Sequence, residues 1–171
     1  MKFFTPELLT RFGASDDAIA DAAQVEWEAA TKRYSDSIRS MKKDMPRRLK
    51  SMLRRFSFHD ARLCFIGMDG QSLRLSLRLD TPPQETVFLR YRLTEAVEMI
   101  RHSMDLQDRP PYLVWMYDEI ELVTGGAFPT FRHSILFNNG LELVVLFQDV
   151  GCSVARELAL IGSPLVADSQ R

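Results

Sequence analysis

The chain has 171 residues, of which 46% are hydrophobic and 26% charged, and its formal net charge is -1 at pH 7. This composition is ordinary for one globular domain with its own core, and the near-zero charge gives no general argument for binding to nucleic acid or to a membrane. The two cysteines exclude a disulfide framework, and the lack of a signal-peptide pattern or a run of about 18 apolar residues predicts a cytoplasmic protein outside the membrane.

The first third of the sequence carries the signals of three helices. Thr5 is a typical N-cap before a proline at the first helical position, and Gly13 ends that short helix. Ser15 is expected to cap a second helix, which is long and amphipathic because apolar residues recur at spacings of three and four. Pro46 ends or kinks this helix, and the sequence PRRLKSMLRRF starts a third, short one. The apolar stripe of the long helix consists of Ile19, Ala23, Trp27, Ala30, Tyr34, Ile38, Met41 and Met45.

From His59 onward the pattern changes to the period of two that is typical of β-strands. Leucines at positions 73, 75, 77 and 79 alternate with serine and arginine, which predicts a half-buried antiparallel strand. Further strands are predicted over 87–93, 112–122, 130–137 and 141–150, with a weaker one over 153–160. The local pattern of residues 94–104 favours a helix, and a strand is the alternative interpretation of this segment. Turn signals separate several strands at Asp69-Gly70, Gly125-Gly126 and Asn139-Gly140.

The predicted fold is α+β, with N-terminal helices packed on one face of an antiparallel β-meander of about six strands. We interpret the chain as a single domain over 1–171. It comprises a helical segment over 1–57, the antiparallel sheet over 58–160 and a loose tail over 161–171.

The first hairpin has two possible registers. A three-residue turn over 68–70 pairs Phe65 with Leu73 and places His59 on the inner side of the sheet. A two-residue turn at positions 69 and 70 instead pairs Cys64 with a leucine of the next strand. The first strand is apolar on both faces, so its periodicity favours neither register. Cys64 and Cys152 are expected to be small buried hydrophobic residues.

The doublet His59-Asp60 stands just before this first strand. In metal-dependent phosphohydrolases a His-Asp doublet lies on a helix, with more histidines on other helices, whereas this chain has three histidines and the doublet precedes a strand. The favoured interpretation is that both side chains bond to local backbone groups at the start of the strand. Neither a metal site nor a cofactor is predicted.

A basic segment follows the long helical stripe. It lacks interleaved aromatic residues for stacking on bases, which argues against nucleic acid as the partner. A solvated face or contact with an acidic protein is the better interpretation, with Arg47 and Arg48 as candidate interaction residues. The basic residues are Arg39, Lys42, Lys43, Arg47, Arg48, Lys50, Arg54 and Arg55.

The stretch YLVWMYDEIEL is the most aromatic part of the sequence. Its alternation places Trp115 and Tyr117 on the face opposite to Met116 and Ile120. An exposed Trp-Tyr pair predicts a recognition patch. The alternative is that the helix carrying Trp27 covers the pair.

Two turns place a carboxylate and an imidazole on the same inner face. If Gly125-Gly126 forms a two-residue turn, Asp118 lies directly opposite His133. A loop over 138–140 independently points His133 inward. We therefore predict a cross-strand hydrogen bond between Asp118 and His133, because neither is tolerated unpaired on an apolar face. The pair either fixes the strand register or, with His59, forms an acid–base or metal-ligand group.

The opening MKFFTPELL, the hairpin start FHDARL, the strand LVWMYDEIEL and the closing LELVVLFQDV together resemble a bacterial domain-of-unknown-function family with MKYFT-type starts. The strand half is also similar to bacterial immunity-type proteins that carry HDA at a hairpin start. The resemblance implies a β-rich second half, and it carries no catalytic residue over to this chain. We expect a non-catalytic cytoplasmic binding or protein-interaction module whose partner is another protein. The alternative is a metal-dependent or acid–base enzyme using His59, Asp118 and His133.

Overall fold

A computed structural model describes residues 1–104, 110–123, 126 and 128–155. Within these residues the chain forms three N-terminal helices followed by seven antiparallel strands, which confirms the α+β class. The helices are α1 (Pro6–Phe12), α2 (Asp17–Met41) and α3 (Arg47–Arg55). The strands are β1 (Arg62–Asp69), β2 (Ser72–Arg78), β3 (Thr86–Leu93), β4 (Glu98–Arg101), β5 (Trp115–Val123), β6 (Thr130–Phe137) and β7 (Leu141–Ala155). The predicted tail over 161–171 lies outside the described residues.

The helix starts follow from the capping residues. The Thr5 side chain accepts the backbone N–H of Leu8, and the N–H of Gly13 closes α1, as predicted. The cap of α2 is Asp16 rather than the predicted Ser15, because the carboxylate of Asp16 accepts two backbone N–H groups of the first turn. None of the described helices is long and apolar enough to cross a membrane.

Two meanders make the sheet. Strands β1, β2 and β3 form one, β5, β6 and β7 the other, and pairing of β3 with β7 joins them. The strand β7 is long enough to pair with β6 through its first half and with β3 through its second half. Residues 98–101 form β4 on β7, so the local helical expectation for 94–104 was wrong. A four-residue strand is too short to show its period in the sequence, and its partner supplies the structure.

The sheet curls until its two ends meet. The N–H of Trp115 bonds to the carbonyl of Ala61, and the N–H of Leu63 bonds to the carbonyl of Leu113. This contact closes the start of β1 onto the start of β5, so the inner face encloses the main core. Helix α3 lies against β7 and contributes Leu49 to the same core. The largest fully buried sheet side chains include Leu75, Leu89, Tyr91, Trp115, Phe131, Phe137 and Phe147.

A second cluster holds the N-terminal segment and α2 against β5. Phe3 and Phe4 pack with two alanines of α2, and Trp27 and Tyr117 border them. The buried carboxylate of Glu119 accepts three consecutive backbone N–H groups from residues 2–4, at 2.5–2.7 Å. The N-terminal segment is therefore fixed to the sheet by both apolar packing and a charged hydrogen-bond acceptor.

The first hairpin turns later in the chain than in either predicted register. Gly70 has the expected positive φ of 56°, but Asp69 pairs with Ser72, so the turn residues are Gly70 and Gln71. A bulge between Leu63 and Phe65 shifts the register once more. The strand β1 is at an edge of the sheet, and Cys64 is exposed rather than buried, while Cys152 is half-buried.

Candidate functional site

Asp118 and His133 form the predicted hydrogen bond. The distance between His133 Nε2 and Asp118 Oδ2 is 3.0 Å, and that between His133 Nδ1 and the Tyr91 hydroxyl is 3.0 Å. Burial, followed by the charge of Asp118, raises the pKa of Tyr91 well above its ordinary value, so Tyr91 keeps its proton. Tyr91 can therefore donate its O–H to Nδ1 of His133, while the Nε2–H of His133 donates to Asp118.

The register behind this bond differs from the prediction. Asp118 pairs with Ile135, and Ile120 pairs with His133, so the carboxylate reaches the imidazole across a diagonal of the ladder. The last paired positions of β5 and β6 are Val123 and Thr130, which leaves a connection over 124–129 rather than a two-residue turn. The predicted turn residue Gly125 lies outside the described residues.

Trp115 is not part of an exposed patch. A bulge between Trp115 and Tyr117 reverses the alternation of β5, so the indole turns into the core with 0% exposure. Its Nε1–H donates to Asp118 Oδ1 at 2.9 Å. Asp118 thus accepts one hydrogen bond on each oxygen, from an indole and from an imidazole.

Tyr117 is covered by the long helix, as the alternative interpretation expected. Its ring lies 4.4 Å from that of Trp27, and Phe4 stacks on it at 5.9 Å. Trp27 itself is half-buried rather than enclosed. On the same helix the Tyr34 hydroxyl accepts the N–H of Ile120 at 3.0 Å, so α2 satisfies a backbone group at the edge strand β5.

His59 and Asp60 lie at the surface. His59 Nδ1 is 2.5 Å from the carbonyl oxygen of Met116, and its Nε2 is 3.5 Å from Asp60 Oδ2. Asp60 has a φ of 64° and donates its N–H to the carbonyl of Trp115. The His59 side chain and the Asp60 N–H therefore bond the backbone of β5, so the expectation that both side chains bond local backbone groups at the start of β1 was wrong.

The structure does not bring His59, Asp118 and His133 together as one acid–base group. His59 and Asp118 line one cavity of about 270 Å³, with Tyr34 and Tyr117 beside them, but no hydrogen bond joins the two. His133 is 0% exposed, and both of its ring nitrogens are engaged. Among the described residues, no three His, Cys, Asp or Glu side chains are grouped to hold a metal ion.

Two basic depressions flank α3. The first, the α2–α3 groove, has a volume of about 640 Å³. The second, the α3–sheet cleft, has a volume of about 840 Å³. Arg47 lines the groove and Arg48 lines the cleft, so the two candidate interaction residues face different sites. Arg48 also forms an ion pair with Asp149 at 3.0 Å.

The sequence pattern did not reveal that the cleft includes aromatic side chains. Phe65 and Phe88 are 55% and 45% exposed, and both line the cleft beside the arginines. They come from β1 and β3, remote in sequence from α3, so a search for aromatics within the basic segment misses them. One sequence signal could have revealed them. Each phenylalanine lies on a polar strand face next to serine and arginine positions, which marks it as an exposed aromatic residue.

Comparisons with models of protein families and with curated proteins found no match to this chain.

Proposed function

We propose that this protein is a non-catalytic interaction module that binds an acidic amphipathic segment of a partner protein in the α2–α3 groove. The observation that carries the proposal is the composition of the groove, which combines an apolar floor with a rim whose charged residues are all basic. The floor residues are Ile38, Met45 and Leu53. The rim residues are Arg39, Lys42, Arg47, Lys50 and Arg54.

The rim charges are largely uncompensated within the described part of the chain. Arg39 pairs with Asp36, whereas Lys42, Arg47 and Arg54 form no ion pair with a described carboxylate. No Asp or Glu lines the groove. Five cations of one sign repel one another, so a ligand that brings carboxylates lowers the free energy of the bound state.

The apolar floor specifies the form of the ligand. An amphipathic helix that places leucine-type side chains at spacings of three and four can bury them on such a floor, while its charged residues meet the rim. Nucleic acid fits this groove less well, because its lining includes no aromatic side chain on which a base could stack. The acidic first turn of α2 lies at the far end of that helix, so the charge pattern also orients the approaching partner.

Binding is better supported than acid–base catalysis. The imidazole of His133 has no free nitrogen and no exposure, so it has no site from which to take a proton from a substrate. The exposed His59 has a backbone carbonyl at Nδ1 and no bond to Asp118. The module is proposed to act in the cytoplasm, which its two free thiols support. An immunity-type role is one form that such a module takes.

The test uses a fluorescent synthetic helix with leucine at helical spacings and glutamate elsewhere. Fluorescence anisotropy should report binding that weakens at least tenfold when glutamine replaces the glutamates. The double variant Arg47→Glu with Arg54→Glu should lose at least tenfold in affinity, since both rim charges are reversed.

The matched control is Arg33→Glu with Lys43→Glu, which changes the net charge equally outside the groove lining. Its affinity should stay within threefold of the wild type. Equal losses in both double variants would show that only overall charge attracts the peptide. Equal binding of the glutamine peptide would show that the rim contributes nothing, and either result refutes the proposal.

A further inference from the structure

We infer that the α3–sheet cleft is a separate binding site for a nucleoside phosphate, with the phosphate held by arginines and the base stacked on exposed phenylalanines. The cleft volume of about 840 Å³ lies in the range of small-molecule sites, roughly 300–1,000 Å³. Its charged lining consists of Arg48, Arg55, Arg74 and Arg90, with no Asp or Glu. This inference does not depend on the function of the α2–α3 groove.

Two of these arginines face each other across neighbouring strands. Arg74 of β2 pairs in register with Arg90 of β3, an arrangement that is destabilising for like charges. The next positions on either side of this row are Gly67 and Gly151, neither of which carries a side chain of its own. A phosphate bound by Arg90 would reduce this repulsion, and the guanidinium group of Arg90 can donate two parallel hydrogen bonds to it.

The cleft keeps cations available for a ligand. Arg74 pairs with Asp69, and Arg48 pairs with Asp149. Arg90 contacts the Ser72 hydroxyl at 3.3 Å, and Arg55 lies 5.0 Å from the centre of the Phe56 ring. Neither Arg55 nor Arg90 forms an ion pair with a described carboxylate. These two residues are therefore the primary phosphate ligands in the proposal.

The aromatic side chains supply a stacking platform beside the arginines. Phe65, Ser76 and Phe88 occupy one row across β1, β2 and β3, so the two phenylalanines stand on strands roughly 9.6 Å apart with a small residue between them. The Phe65 ring lies over Gly67, where an added Cβ would come within 2.5 Å of it. A flat exposed ring next to arginine is the arrangement on which bases stack in nucleotide sites.

The rest of the lining suits a sugar. Ser51 comes from α3, Ser76 from β2 and Ser153 from β7, so hydroxyl groups enter the cleft from three elements. A few convergent hydroxyls in a mixed aromatic and basic cleft provide orientation without adding charge. The combination of planar, anionic and hydroxyl-binding groups matches one nucleoside phosphate better than a bare anion.

Isothermal titration calorimetry with AMP tests the inference, using adenosine, ribose 5-phosphate and inorganic phosphate as separate probes. AMP should bind at least tenfold more tightly than each fragment. Arg90→Ala and Phe65→Ala should each weaken AMP binding at least tenfold. Phe65→Ala should leave the affinity for inorganic phosphate within twofold, because it removes only the stacking surface.

Two controls separate the site from general charge and from misfolding. Arg92→Ala removes an exposed arginine of the same strand that does not line the cleft, and it should change AMP affinity less than twofold. Gly67→Ala adds a methyl group under the Phe65 ring and should weaken AMP binding without changing any charge. Circular dichroism confirms that each variant is folded.

The inference is overturned if AMP, GMP, CMP and UMP all fail to bind at millimolar concentration. It is also overturned if Arg92→Ala weakens binding as much as Arg90→Ala. A ten-nucleotide single strand that binds at least a hundredfold more tightly than AMP, with a steep loss as salt rises, would assign the cleft to nucleic acid instead.

Discussion

Replacing Glu119 by glutamine should destabilise the protein strongly although it changes one atom. Glu119 is 1% exposed and accepts the N–H groups of Lys2, Phe3 and Phe4. A hydrogen bond to a charged group contributes about 1.5–3 kcal/mol, and a neutral one about 0.5–1.5 kcal/mol. The side-chain amide of glutamine has one oxygen, so its best orientation keeps the two bonds to the phenylalanine amides in neutral form and turns its NH₂ group against Lys2 N–H.

The expected loss follows from these terms. One charged bond disappears and two become neutral, which gives a total of about 3–5 kcal/mol in the free energy of unfolding. The loss has an upper limit, because the N-terminal segment can detach instead. Detachment exposes Phe3 and Phe4, whose burial is worth about 1.5–3 kcal/mol each.

Urea unfolding followed by circular dichroism measures this loss. Fluorescence gives a second readout, since Phe4 packs on Trp27 with ring centres 4.7 Å apart and detachment exposes that indole. The control is Glu121→Gln, two positions along the same strand, whose contact with the exposed Lys2 at 3.6 Å predicts a loss below about 1 kcal/mol. A Glu119→Gln protein within about 1 kcal/mol of the wild type, or no less stable than the control, would refute this account of the N-terminal segment.

Three further expectations come from buried polar contacts. Trp115→Phe should cost about 1–2 kcal/mol by loss of the bond to Asp118, and Trp115→Ala about 3–5 kcal/mol; thermal unfolding measures both, and a Trp115→Phe protein that melts at the wild-type temperature would contradict the contribution of this bond. Tyr34→Phe leaves the N–H of Ile120 without its acceptor and should cost about 1–2 kcal/mol in urea, whereas an unchanged midpoint would mean that water replaces the hydroxyl. Glu142→Gln should destabilise the protein at pH 7 but much less in acid, as urea unfolding at several pH values shows.

The parts of the fold that the sequence predicts are those determined by local chemistry. Thr5 and Gly13 bound α1 because capping groups act within a few residues. The loop over 138–140 sets the register of β6 and β7, so His133 lies opposite Val145 and points inward as predicted. In both cases the residues that decide the structure are neighbours in the chain.

The error on Trp115 comes from a single inserted residue in β5. The bulge at Met116 changes no hydrophobic pattern, yet it moves Trp115 from the predicted outer face into the core. The bond between Asp118 and His133 was predicted from a register that was two residues wrong. It forms nevertheless because two polar side chains on an apolar face must pair, and long side chains also reach diagonal neighbours.

The α3–sheet cleft could not be predicted because its parts come from distant elements. Arg55, Phe65, Arg74 and Phe88 belong to α3, β1, β2 and β3, and they meet only after the hairpins and α3 have packed. The hairpin register also had to be known, since a shift of one residue moves Phe65 to the other face of the sheet. Sites that form across several strands depend on registers that bulges alter.

The acid sensitivity assigned to Glu142 follows from its buried contacts. Burial alone would raise the pKa of Glu142, but hydrogen bonds from the Met1 amino group and from His102, with the charge of that amino group, outweigh it and hold the pKa below its ordinary value. The amino nitrogen lies 2.9 Å from Oε1, and His102 Nε2 lies 2.8 Å from Oε2. The ionised carboxylate therefore stabilises the folded state more than the unfolded state.

The sign of the pH dependence is fixed by that lowered pKa. The stabilisation is fully present above the pKa of an unfolded glutamate, about 4.3, and is lost as the pH falls through the lower folded-state value. Glu142→Gln removes the ionisable group and one partner of a buried ion pair, so it should cost about 3–5 kcal/mol at pH 7. The difference from the wild type should persist at pH 5 and shrink at pH 3 and below, where the wild-type carboxylate becomes protonated. Glu121→Gln should show no comparable change, and a Glu142→Gln deficit that stays constant or grows in acid would contradict the assignment.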